Sequence, residues 1–215
     1  MRGARLMASG IAQPKWNNAD VVSADVDWDA VRAWYAARDV PWGLRVPLGL
    51  DVDVGEPLFV KRCAAIERGA WARASARGIR VRQAAPSEGE LVAALDCEIF
   101  GGGDASLSRA WVEPEVGAPG FRHWVAEAAG AAVGGATTIA TDGDAGPAAY
   151  LTAFGAVPGA SRRDVVEALV AAACASAFED GAAFVHANPD DEEWEVLAAA
   201  GAVEVTGFQV RVVRW

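Results

Sequence analysis

Residues 148–181 read AAYLTAFGAVPGASRRDVVEALVAAACASAFEDG, and the order of elements in them decides the fold. Ala148 to Val157 has the apolar and aromatic character of a strand. Pro158-Gly159 breaks it. Arg162 to Glu179 then places Val166, Leu169, Val170, Ala173 and Ala177 on one helical face, and Gly181 stops the helix. Strand, tight loop and long amphipathic helix make a crossover, so the next strand, Ala183 to Ala187, is expected to run parallel beside Ala148 to Val157. The two should diverge toward their C-terminal ends and open a cleft.

Upstream lie two more extended segments, Arg122 to Ala128 and Ala131 to Thr141. The links Ala129-Gly130 and Asp142-Gly143-Asp144 are hairpin-like. Strands joined by turns this short are antiparallel, which argues against a doubly wound parallel sheet. Farther upstream, Ile79 to Gln83 reads as a strand. Pro86-Ser87-Glu88 opens a helix through Phe100, with Ser87 as N-cap and Glu90 completing a capping box. Gly101-Gly102-Gly103 ends that helix; it follows a helix and lacks GxGxxG spacing, so it is no dinucleotide fingerprint. A second short helix covers about Asp104 to Trp111. Downstream, Asp190 to Ala200 is helical, and Val203 to Val213 is a strand or a hairpin with Gly207 as bulge or turn. The order is β-α-α-β-β-β-α-β-α-β(β). It predicts an α+β fold: a mixed, mostly antiparallel sheet with helices on both faces.

The first 78 residues read as a small α/β lobe, with residues 79–215 as the main domain. Ala19 to Val26 is extended, Trp28 to Arg38 helical with Asp27 as its cap, and Leu44 to Pro47 and Leu58 to Ile66 extended again. Val31, Trp34 and Tyr35 form an apolar stripe, while Trp28, Trp34 and Trp42 are either core or the lining of a cleft.

Hydrophobic residues make up 53% of the 215, ample for a core, and the formal net charge is -10. So acidic a surface repels phosphate backbones, which excludes nucleic acid and anionic membranes as partners. Cys63, Cys97 and Cys174 stand far apart with no CxxC pair, so zinc spacing and a disulfide framework are both absent. The longest apolar run, Val165 to Phe178, contains Glu167 and is too short to span a bilayer. Arg2 and Arg5 precede too brief an apolar core for a signal peptide. A soluble cytoplasmic protein is expected.

Across Ile79 to Trp215 this order resembles the GNAT superfamily of acyl-CoA-dependent N-acyltransferases. Three local features carry the likeness. Val157-Pro158 with the following helix resembles the family's strand end and pyrophosphate-binding helix. Asn188-Pro189-Asp190 resembles its "N-x-x-N" or "NP" loop, and Leu197-Ala198-Ala199-Ala200-Gly201-Ala202 resembles the "Y-x-x-x-G-F" end of its last helix. The resemblance implies transfer of an acetyl group from acetyl-CoA, as co-substrate and without a metal, to a primary amine by direct attack. It implies that the backbone of Gly155, Ala156 and Val157 holds pantetheine, that Ser161, Arg162, Arg163, Asp164, Val165 and Val166 face the pyrophosphate, and that Asn188 belongs to the site. The partners it implies are acyl-CoA and a small-molecule or peptide amine, and it allows a homodimer. The first 78 residues resemble the truncated leading lobe of two-lobed members.

The chain departs from the family at two places. Both glycines of the "Q/R-x-x-G-x-G/A" loop are replaced, and Asp164 puts a carboxylate where the anion is expected. Ser161-x-x-Asp164 also reads as a capping box, which makes the helix self-sufficient. Arg162 and Arg163 oppose the helix dipole, so they either neutralise phosphates or are simply solvated. Leu197 stands where many members carry a proton-donating tyrosine. Tyr150, the only tyrosine left in this domain, is then the candidate acid. His186, Glu127 and His123 are candidate bases, and His186 shares a strand face with Phe184 and Asn188. The leading expectation is an N-acetyltransferase; the alternative is a catalytically inactive GNAT-like ligand- or protein-binding module, which Asp164, Val166 and Leu197 favour.

Overall fold

A computed structural model describes residues 1–72, 78–100 and 105–213. In chain order the elements are β1 (Ala4–Leu6), β2 (Asn18–Val21), α1 (Trp28–Ala36), β3 (Gly43–Pro47), β4 (Glu56–Glu67), β5 (Arg80–Gln83), α2 (Gly89–Phe100), α3 (Ala105–Val112) and β6 (Phe121–Ala128). There follow β7 (Ala131–Gly143), β8 (Gly146–Ala156), α4 (Arg162–Glu179), β9 (Phe184–Ala187), α5 (Asp191–Ala199) and β10 (Val203–Val212). Packing groups the chain into two compact units, Met1–Cys63 with Val205–Trp215, and Ala64–Glu204. The joints therefore fall inside strands β4 and β10.

In the first unit the strands run in the order β1-β2-β3-β10-β4. Parallel β2 and β3 are flanked by antiparallel pairs. Asp27 caps α1 as expected, its Oδ1 accepting the Ala30 N–H over 3.0 Å. Val31 and Tyr35 point from α1 into a core with Trp42 and Leu44. Tyr35 and Trp42 stack with centroids 4.6 Å apart and planes at 4°, so Trp42 is core and no cleft wall. The extended stretch expected to reach Val26 ends at Val21.

In the second unit the order is β4-β9-β8-β7-β6-β5. β5 to β8 are antiparallel neighbours, and β8 and β9 are parallel, as a crossover demands. Ala129 and Gly130 both have positive φ, 50° and 83°. That is the geometry of a two-residue hairpin turn matched to strand twist. One face of the sheet carries α4: Val166, Leu169, Val170 and Ala173 pack on Trp124, Ala126, Leu151 and Phe154. The other carries α2, whose Leu95 and Ile99 cover Ala84 and Val125.

Two expectations are corrected, and the choice between strand and hairpin for the last segment is decided. Ser87 is not a helix cap: Pro86–Glu88 forms a 3-10 turn, α2 starts at Gly89, and Glu88 reaches back to accept the Ala85 N–H over 2.6 Å. Proline at the first turn position makes the chain wind two residues earlier than the Ser87-Glu90 spacing suggests. The last segment is one strand and no hairpin; a Cβ on Gly207 would lie 2.9 Å from the Lys61 carbonyl, so the glycine serves close packing. Finally, Ser161 precedes α4 without any side-chain capping bond, so the Ser161-x-x-Asp164 capping box does not form. The Gly101-Gly102-Gly103 break, the helix start at Asp104 and the lobe end near Ala76-Arg77 lie outside the described residues.

Candidate active site

β8 and β9 lie side by side over the pairs Ala148↔Phe184, Ala149↔Val185, Tyr150↔His186 and Leu151↔Ala187. There the ladder stops. β9 ends at Ala187 and Pro189 follows almost at once; it has no N–H to offer a neighbouring strand. β8 runs on to Ala156, still paired with β7 on its other edge through Thr137↔Thr152, Gly135↔Gly155 and Gly134↔Ala156. Ala153 and Phe154 together oppose the single residue Ala136, a bulge, and Ala153 sits at φ 48°. An extra residue bends a strand and sharpens its twist. The bulge thus turns β8 away at the level where its parallel partner leaves. Among the described residues, the edge of Thr152 to Ala156 that faces away from β7 lacks a strand partner.

Close packing fixes that strand end from the other side. A Cβ on Gly155 would lie 2.4 Å from Ile99 Cγ2, so α2 rests directly on the Gly155 backbone. A Cβ on Gly134 would meet Val165 Cγ1 at 2.3 Å and the Gly155 carbonyl at 2.5 Å. Gly134 on β7 therefore lets the first turn of α4 sit close against the β7–β8 pair.

Tyr150 and His186 are paired across the ladder, and their rings stack with centroids 4.9 Å apart and planes at 19°. The Tyr150 hydroxyl donates to Asn188 Oδ1 over 2.9 Å. Leu151, Val185 and Ala187 belong to the core under α4. By strand alternation Tyr150, His186 and Asn188 occupy the opposite, half-exposed face. Burial pushes the His186 imidazole below its ordinary range, so it is neutral at pH 7. These three sequence candidates are brought together at the mouth of the split.

The other candidate bases are otherwise engaged. Glu127 accepts from Arg82 Nε over 2.7 Å, and Arg82 also binds Glu88 over 2.7 Å, a purely structural triad. His123 is 3% exposed with Nδ1 2.9 Å from Thr137 Oγ1, and burial pushes its pKa down. Leu197 is 1% exposed within the core and offers no proton.

At the start of α4 the sequence-predicted anion residues behave differently from one another. Val165 and Val166 are both 1% exposed, so their side chains belong to the core; the Val165 N–H already donates to the Ser161 carbonyl over 3.0 Å. Ser161 and Asp164 are exposed. With no cap formed, the N–H groups of Arg162, Arg163 and Asp164 have no intrahelical acceptor, as at any helix start. Arg162 and Arg163 are both exposed at the surface, and each is paired with carboxylates of α5. Arg162 Nη2 binds Asp190 Oδ2 at 2.5 Å and Glu193 Oε1 at 3.1 Å, and its Nη1 binds Glu192 Oε2 at 2.5 Å. Burial opposes its charge, but Asp190, Glu193 and Glu192 outweigh that and raise its pKa. Arg163 pairs with Glu195 at 3.4 Å. Sequence reasoning misses these carboxylates, because only the adjacency of α4 and α5 brings them to the arginines. Between the two helices lies a pocket of about 130 Å³, floored by Val166 and Val196 and rimmed by Arg162, Arg163, Glu192 and Glu195. Among the described residues no cluster of three or more His, Cys, Asp or Glu is placed to hold a metal. Nor is any described helix long and apolar enough to cross a membrane.

The chain has the fold of the GCN5-related N-acetyltransferases. A GCN5-related N-acetyltransferase from Kribbella flavida superposes on 100% of this chain and 91% of its own, with TM-score 0.73 and 16% identity. One from Sphaerobacter thermophilus covers 99% of this chain and 76% of its own, with TM-score 0.67 and 13% identity. The aminoglycoside N-acetyltransferase AAC(6')-Iy, solved in complex with CoA, matches 60% of this chain and 89% of its own, with TM-score 0.50 and 22% identity. No protein-family model and no curated protein sequence matches the chain.

Proposed function

We propose that this protein is an acyl-CoA-dependent N-acyltransferase that moves an acetyl group from acetyl-CoA to a primary amine. The observation that carries this is the split of β8 from β9 after Leu151 and Ala187, which leaves the strand edge from Thr152 to Ala156 open beside the uncapped start of α4. A pantetheine arm is an extended chain with two amides, and it pairs with such an edge as a missing strand would. The CoA complex of a structural neighbour lends support. Gly155 and Ala156 then hold the arm by their backbone, whereas the Val157 N–H is already donated to the Val133 carbonyl over 3.0 Å and its carbonyl accepts the Ala160 N–H over 3.1 Å. The amides of Arg162, Arg163 and Asp164 meet the phosphates.

In the reaction the amine nitrogen forms a bond to the thioester carbonyl carbon, the C–S bond breaks, and CoA departs as a thiolate. Holding both reactants together contributes about 7–11 kcal/mol of the barrier reduction. Tyr150 is the group that protonates the thiolate, with Asn188 holding its hydroxyl and the neutral His186 ring fixing its plane; His186 is also the nearest base for the amine proton. Cys63, Cys97 and Cys174 stand far apart in the sequence with no CxxC pair, which fits a reducing compartment, and we place the activity in the cytoplasm.

One observation favours a second reading. The guanidinium best placed for phosphate is held by three carboxylates, and Leu197 supplies no acid. On that reading the chain is a non-catalytic binding module. Thermal-shift titration with CoA and acetyl-CoA, followed by amine-dependent CoA release over a panel of primary amines, separates the two. Stabilisation by both ligands with turnover supports the enzyme, stabilisation without turnover supports the module, and no stabilisation at millimolar ligand removes acyl-CoA from either.

A further inference from the structure

We propose that Asp190, Glu192 and Glu193 form an autoinhibitory clasp on Arg162, which the donor's diphosphate must open before it can use that guanidinium; this rests on the acyl-CoA reading above. Both terminal nitrogens of Arg162 are engaged, Nη1 by Glu192 and Nη2 by Asp190 and Glu193. An arginine binds phosphate through the same paired N–H groups, so it cannot serve carboxylate and phosphate at once. Three negative charges around one positive charge also leave a net repulsion toward an incoming diphosphate.

The clasp is organised by α5 itself and not by its grip on Arg162. Asp190 Oδ1 accepts the Glu193 N–H over 2.9 Å, and Glu193 Oε2 accepts the Asp190 N–H over 2.9 Å. That reciprocal capping box holds both carboxylates at the end of α5 whether or not a cation is present. The Glu193 side chain is only 11% exposed, and its second oxygen is the one that reaches Arg162. Glu192 is 74% exposed and is the least confined member of the three. Arg162 is 42% exposed, so it has room to swing out without movement of either helix. Arg162 is thereby kept closed until a strong anion competes for it.

The test is the CoA dissociation constant of the full chain, measured by isothermal titration. Four proteins are compared: the native protein, Glu192→Gln/Glu193→Gln, Arg162→Gln, and the triple variant. Glutamine at 193 still accepts the Asp190 N–H, so α5 keeps its cap. Losing two of the three carboxylate charges, with Asp190 still in place to cap α5, should tighten CoA binding roughly tenfold, about threefold for each charge removed. Arg162→Gln should change affinity by less than twofold in the native background and weaken it at least fivefold in the double-glutamine background. The matching charge change at the β7–β8 hairpin, Asp142→Asn/Asp144→Asn, should shift affinity less than twofold. Equal tightening by the hairpin variant, or an unchanged constant in the double-glutamine protein, overturns the clasp while leaving CoA binding intact. Failure of all the proteins to bind CoA overturns both the clasp and the acyl-CoA reading. Should the double variant fold poorly by circular dichroism, Glu192→Gln alone decides: threefold tightening supports the clasp, none refutes it.

Discussion

The hydroxyl of Tyr150 donates to Asn188 Oδ1 over 2.9 Å, which fastens the end of the β8–β9 ladder to the loop that carries the chain away from it. A phenol held this way is positioned before any donor arrives. Tyr150→Phe is therefore expected to leave CoA affinity within about twofold and to lower the rate of amine-dependent CoA release by about 100-fold, the lower range for loss of a general acid. Asn188→Ala, which frees the hydroxyl without removing it, should cost roughly tenfold. Equal rates for all three proteins would move the acid elsewhere.

Gly134 has no room for a side chain. A methyl group there meets Val165 Cγ1 at 2.3 Å and the Gly155 carbonyl at 2.5 Å, and a main-chain carbonyl in a paired strand does not step aside. Gly134→Ala should destabilise the protein by about 1–3 kcal/mol or more, the usual range for overpacking. The denaturation midpoint in urea measures it, and the loss should extend to CoA binding because the strained carbonyl belongs to the proposed pantetheine edge.

Glu115 sets a pH dependence of opposite sign to most carboxylates. Burial pushes its carboxyl up to about 7, and the nearby Asp96 charge adds to the effect. Folding therefore favours the protonated form. The stability it contributes is full below the unfolded value near 4.5 and is lost as pH rises through about 7. At about 1.4 kcal/mol per unit this is at most about 3.5 kcal/mol. Glu115→Gln should match the native protein near pH 4 and exceed it in melting temperature at pH 8. A variant melting below the native protein at pH 8 would show that the ionised carboxylate is stabilising.

Ala153 holds a left-handed backbone at φ 48° inside the β8 bulge. An L side chain in that region costs roughly 1–2 kcal/mol, and glycine's extra freedom in the unfolded chain takes some of this back. Ala153→Gly should thus stabilise the protein by about 0.5–1 kcal/mol in chemical denaturation. If the bulge serves only the fold, CoA affinity should rise or stay constant with it.

Thiol chemistry separates the cysteines. Cys174 is wholly buried and burial pushes its thiol up to about 12, whereas Cys63 and Cys97 are half-buried. Titration with a thiol reagent at pH 8 should leave Cys174 unmodified in the native protein and reach it only after unfolding.

Elements governed by local patterns are legible in the amino-acid sequence. The bounds of α4 follow from apolar spacing and Gly181, and the two hairpins follow from their short polar or glycine links. The parallel β8–β9 pair follows from the crossover between them. Tyr150, His186 and Asn188 are identifiable as candidates one by one, and strand alternation places two of them together. Contacts between elements distant in sequence escape such reading. Arg162 can be read as phosphate ligand or solvated charge, but nothing local reveals that α5 brings Asp190, Glu192 and Glu193 against it. Glu127 reads as an available base, yet β5 sets Arg82 beside it. Ser161 matches a capping pattern whose bond does not form, since spacing alone does not orient a hydroxyl.

The return of β10 to the first unit has a consequence for biosynthesis. Arg45 of β3 pairs with Val210, and Arg211 donates to the Val52 carbonyl, a contact 159 residues apart in the chain. While a ribosome makes the intervening residues, β3 keeps an open hydrogen-bonding edge of the kind that recruits other chains. Closure of that edge is a late, non-local step and therefore a slow one. Nascent chains stalled or truncated before residue 208 should accordingly be the form most prone to aggregation and most dependent on chaperones.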